Sequence, residues 1–112
     1  MGGVDERLPS GGTSDSVANA YEIAKSGGTH SGIITRYAGE PDRFVERALR
    51  SVERRIAEHC EKISEPRRFV KRDATDLQVS YLVNDYWPKE IRNFEAEAEV
   101  LRGILQERKR GK

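Results

Sequence analysis

Two stretches of the chain repeat a mostly apolar set of residues at alternating intervals of four and three. Between Pro41 and Pro66, Val45, Leu49, Val52, Ile56, His59 and Ile63 are spaced 4-3-4-3-4, and the positions between them are mostly charged. The rhythm returns in Trp87, Ile91, Phe94, Ala98, Leu101 and Leu105. Such spacing gathers the side chains into one narrow stripe of an α-helix, the seam of coiled-coil-like packing. Pro41 and Pro88 stand where a helix begins, and Arg108, Lys109 and Arg110 supply the positive charge favoured where one ends. Two matching seams joined by a linker predict an antiparallel hairpin, with Val45 near Leu105 and Ile63 near Trp87.

The remaining segments are shorter. Residues 74–85 predict a third, shorter helix, with Asp73 as its N-cap and Leu77 and Tyr81 on its apolar face. Packed across the hairpin with Phe69, Ile33, Ile34 and Tyr37, it would close the core. Towards the N-terminus, Val17, Ala20, Tyr21 and Ala24 share one side of a short helix that Gly27 and Gly28 would stop. "GIITRYAG" reads as a short strand or an extended arm, and the lack of a partner strand favours the arm. Residues 1–16 are rich in Gly, Ser and Asp and predict a disordered tail. The expected organisation is all-α: a tail over 1–16, a short helix and Gly-rich arm over 17–40, and a helical hairpin domain over 41–109.

Composition narrows the classes. With 112 residues, 36% apolar and 35% charged, the chain fits one small, elongated helical domain with a thin core. A net charge of +1 neither demands nor excludes nucleic acid; residues 1–40 carry −2 and residues 41–112 carry +3. No apolar run approaches the roughly 20 residues of a membrane span, so no membrane association is expected. Cys60 is the single cysteine, which excludes an internal disulfide and suits a cytoplasmic setting; it is expected to pack as a small apolar residue.

Candidate chemistry centres on "KSGGTHSGIITRY", Lys25 to Tyr37. Glycine-rich turns present backbone N–H groups to anions, and Lys25, Thr29, Ser31 and Arg36 are side chains that contact phosphate oxygens. Histidine titrates close to neutral pH, so His30 is a candidate general acid or base, with Tyr37 assisting, in ribonuclease-like cleavage. The alternative is a plain turn with His30 packed or solvated. The spacing fits neither a Walker loop nor a dinucleotide fingerprint, and no familiar metal-ligand spacing is present, so neither cofactor nor metal is expected. A second candidate is the basic turn carrying Arg67, Arg68, Lys71 and Arg72, suited to a nucleic-acid backbone or an acidic partner and interrupted by Glu65 and Asp73.

Taken in order, "KSGGTHSGIITRYAGEP", "LRSVERRIAEHCEKISEP" and "DYWPKEIRNFEAEAEVLRGIL" resemble a short C-terminal domain of bacteriophage head-morphogenesis-associated and polymorphic-toxin-like bacterial proteins. Ser26, Gly27, Gly28, His30, Gly32 and Tyr37 match its first segment. Ile56, His59, Lys62, Ile63 and Pro66 match the second, and Trp87, Pro88, Ile91 and Leu105 the third. Thr29 departs, standing where the pattern has Lys. The resemblance implies a phage or mobile-element setting, cytoplasmic or virion-associated, more than a reaction.

Two functions stand at this point. One is a small non-catalytic helical interaction module that docks on a protein or nucleic-acid partner, as a monomer or weak dimer. The other is a ribonuclease-like toxin domain that uses His30, with Lys25 and Arg36 on phosphate.

Overall fold

A computed structural model describes residues 17–111, and every described element is helical. Helix α1 spans Ala20–Lys25, α2 Ser31–Tyr37 and α3 Asp42–Ser64. A short 3-10 turn, Pro66–Arg68, leads to α4, Asp76–Tyr81. A π-turn, Leu82–Tyr86, then carries α4 directly into α5, Trp87–Arg110. The expectation for residues 1–16 lies outside the described residues.

The seams pair as their spacing predicts. Val45, Val52 and His59 of α3 are buried, as are Trp87, Ala98 and Leu101 of α5, with Leu49, Ile56, Phe94 and Leu105 packed at their edges. Polar contacts along the groove fix an antiparallel register. Arg108 donates to Asp42 at 2.7 Å near one end, His59 meets Glu90 at 2.7 Å further along, and the Lys62 ammonium lies 6.0 Å from the Trp87 ring centre. That is the register placing Val45 by Leu105 and Ile63 by Trp87. Between these points Arg102 bridges Glu53 and Glu99 at 3.0 and 3.2 Å. That pair is half exposed, so the buried apolar stripe stabilises the hairpin far more than the ions do.

The short helices that complete the core come from the N-terminal side. Ala20 and Ala24 of α1 are buried, and Tyr21, Ile33, Ile34 and Tyr37 pack against the same cluster. They lie on a second stripe of α5, Ala96, Val100, Gly103 and Glu107, with Ile104 beside it. Gly103 makes the approach possible: a Cβ there would stand 2.7 Å from the Tyr21 Cβ and closer still to its ring. The glycines after α1 stop it with a Schellman turn. Gly28 N–H donates to the Ile23 carbonyl at 2.8 Å and Gly27 N–H to that of Ala24 at 3.1 Å, with Gly27 at φ 98°.

Four local expectations are corrected. The segment "GIITRYAG" is helical, not extended, because Ile33, Ile34 and Tyr37 fall on one helix face that packs, half-buried, against the hairpin core. The helix expected over 74–85 begins at Asp76, capped by Thr75 rather than Asp73. The Thr75 hydroxyl accepts from Gln78 N–H at 3.1 Å, and the Gln78 side chain accepts from Thr75 N–H at 2.8 Å. This helix does not lie across the hairpin but extends α5, so Leu77 and Phe69 stay outside the core. Cys60, finally, is exposed, one position beyond the seam residue His59.

Candidate functional site

Length creates an open feature at one end of the hairpin. Segments α4, π-turn and α5 together make 35 residues, about 52 Å of helix, against 23 residues and about 34 Å for α3. The overshoot projects α4 past the 3-10 turn. Leu77 is 80% exposed and Tyr81 56%, and with Phe69, Val70 and Leu82 they line an open groove of about 900 Å³ beside Lys71. Its walls are mainly apolar, on a chain whose surface is otherwise dense in charge.

The basic turn beneath this groove is largely committed. Arg67 donates to the Ala74 carbonyl at 2.9 Å and to Asp76 at 2.6 Å. Arg68 reaches Glu61 at 3.3 Å and Glu65 at 3.1 Å while lying 5.5 Å from the Phe69 ring centre. Both guanidiniums thus brace the turn. Lys71 and Arg72 are exposed.

The residues of the Gly-rich segment separate into three places. Lys25 binds the Glu107 carboxylate at 2.8 and 3.1 Å, and the Tyr21 hydroxyl donates to the same group. Arg36 lies 5.4 Å from the Tyr37 ring centre, and the two share a depression with Phe44 and Arg47. His30 and Thr29 line a different cleft, against Lys89, Arg92 and Asn93 of α5. Ser31 opens α2, half-buried, its carbonyl accepting from the Thr35 hydroxyl at 3.4 Å. His30 and Tyr37 stand at opposite ends of α2, about 10 Å apart along its axis. Lys89, Arg92 and Asn93 were not foreseen, since nothing in their local sequence connects them with residue 30.

Electrostatics mark two anchors. Burial, reinforced by the bond to Glu107, raises the Tyr21 phenol from 10.0 to about 12. Lys25, and after it Tyr21, hold the Glu107 carboxyl below its usual range. A phenol whose folded pKa is raised favours folding fully below its unfolded value and loses that contribution as pH climbs from 10 towards 12. The difference in tyrosinate absorbance between the wild type and Tyr21→Phe should therefore titrate near pH 12; a midpoint near 10 would contradict the burial. The second anchor is His59, whose Nε2 meets Glu90 while its Nδ1 lies 3.0 Å from the Arg55 carbonyl and its ring packs edge-on against Phe94. The His59 bond holds Glu90 below the usual carboxylate range. With both nitrogens engaged inside the hairpin, this histidine is a packing residue.

Among the described residues no cluster of His, Cys, Asp and Glu is arranged to hold a metal, and no helix is long and apolar enough to cross a membrane. The site and fold together define an all-α helical hairpin with one projecting apolar end. The chain matches no family model, no curated protein and no solved structure.

Proposed function

We propose that this chain is a small, non-catalytic helical interaction module that docks on a partner protein through the projecting end of its hairpin. One observation carries the reading: α4 overshoots α3 and holds Leu77 and Tyr81 in solvent, where neither contributes to the core. Contiguous exposed apolar side chains with a charged rim, here Lys71, Arg72 and Asp73, are the anatomy of a protein-binding surface. A protein partner fits better than nucleic acid because Arg67 and Arg68 are already held by carboxylates. A phage or prophage setting, cytoplasmic or virion-associated, follows from the sequence resemblance alone. The ribonuclease-like reading is less well supported: it needs His30, Lys25 and Arg36 around one phosphate, and they face three surroundings.

The double variant Leu77→Asp, Tyr81→Asp tests the docking surface. Both side chains are exposed, so each change should alter stability by no more than about 0.5 kcal/mol. The expected result is an unchanged melting temperature together with loss of the protein that wild-type chain enriches from host lysate. Identical enrichment by wild type and variant would overturn the reading. So would sedimentation showing a wild-type dimer that the variant dissolves, which would make the partner a second copy.

A further inference from the structure

We propose that the cleft between the α1–α2 turn and α5 binds a small organic phosphate, its phosphoryl group held by His30, Lys89 and Arg92. These three basic side chains come from segments almost 60 residues apart in the chain and line one cleft of about 440 Å³. That volume falls within the range of small-ligand sites, roughly 300–1,000 Å³. Thr29 and Asn93 add a hydroxyl and an amide at the same rim. No carboxylate lines the cleft, and among the described residues neither Lys89 nor Arg92 forms an ion pair.

The floor is apolar, formed by Val17, Ala20, Ile23 and Ala96. A bare anion gains nothing from such a floor. A phosphate ester with a flat or apolar group gains burial of that group beneath the charge-assisted contacts of its phosphoryl oxygens. Ligands of the nucleoside monophosphate class have both parts.

The turn is shaped before any ligand arrives. The Schellman bonds from Gly27 and Gly28 fix its entry, Ser31 N–H donates to the Gly28 carbonyl at 3.0 Å, and Gly28 leaves too little room beside Ile23 for a Cβ. His30 sits at φ 68° and ψ 15°, the one non-glycine residue at positive φ among those described. Left-handed backbone is unfavourable for an L-residue, and glycine would hold the same turn without that penalty. Strain of this kind collects at binding sites, where a side chain is needed in a position the backbone resists.

No residue that lines this cleft lines the groove at the projecting hairpin end, so either reading can fail without the other. The test is an amide-resolved NMR titration of the full chain with AMP, adenosine and inorganic phosphate in turn. AMP should move the amides of Thr29, His30, Asn93 and Ala96 and bind at least about tenfold more tightly than adenosine or phosphate alone. Lys89→Gln with Arg92→Gln should weaken AMP by about tenfold or more at unchanged melting temperature. His30→Gly should weaken AMP without lowering the melting temperature, since it relieves the backbone. Equal binding of phosphate and AMP would reveal general anion attraction and overturn the proposal. So would shifts mapping elsewhere, an absence of shifts, or full affinity in the charge-removed variant.

Discussion

Leu101→Asp should leave the chain unfolded. Leu101 is 2% exposed at the centre of the cluster formed by α1, α3 and α5. Truncating such a leucine to alanine already costs about 2–5 kcal/mol. Aspartate adds the desolvation of a carboxylate with no cation placed to receive it. A domain of this size sits near the lower end of the usual 5–15 kcal/mol of total stability, so one substitution exceeds what the fold can lose. Circular dichroism should show a coil-like spectrum without a cooperative melt. Retained helicity with a sharp transition would mean that the seam is not the core. Leu77→Asp makes the same chemical change further up the same continuous helix and should leave the melt intact, because Leu77 is 80% exposed.

Gly103→Ala should reverse the usual effect of its substitution. In a solvent-facing helix interior, alanine for glycine is favourable by roughly 1 kcal/mol through lower backbone entropy in the unfolded chain. Here the added Cβ would overlap Tyr21, whose ring lies directly on the glycine. Forcing extra volume into a packed contact costs about 1–3 kcal/mol, and the displaced ring also surrenders its bond to Glu107. Thermal melts should show Gly103→Ala destabilised by about 2 kcal/mol. With Tyr21→Ala already in place, Gly103→Ala should become neutral or stabilising, since the obstacle has gone. A double-mutant cycle with no coupling would refute the contact between α1 and α5.

How much of this was legible along the chain differs from element to element. The hairpin was, because each seam is a periodic signal over nearly three heptads and the register follows from matching their ends. The second stripe of α5 has the same 4-3-4 spacing, in Ala96, Val100, Gly103 and Glu107. It is inconspicuous along the chain because alanine, glycine and glutamate do not stand out as apolar. By residue type Gly103 is only a poor helix former, whereas its missing side chain is the seat for a tyrosine over 80 residues earlier. Thr75 and Gln78 did carry a capping-box signature, but Asp73 competed as the cap. Helix α2 defied its β-branched residues, since burial outweighs a propensity difference of a few tenths of a kcal/mol. Of the sites, Gly27 and Gly28 were readable as a helix stop. The cleft at His30 was not, because spatial neighbours so remote in sequence leave no local trace.

The π-turn between α4 and α5 means that the projecting end depends on arithmetic as well as on composition. Continued backward at unbroken spacing, the α5 seam would pass through Asn84, Ser80 and Leu77, placing Leu77 in line with Trp87 and Ile91. The π-turn accommodates one extra residue, and each residue of an α-helix turns by roughly 100°. In the π-turn and upstream of it the half-buried positions are instead Leu82 and Val83, then Val79, and Leu77 is swung outward. Losing or gaining a single residue within 82–86 would thus re-aim every side chain of α4 at once. A lineage could hide or reveal this surface by one codon of insertion or deletion, with Leu77 and Tyr81 themselves unaltered.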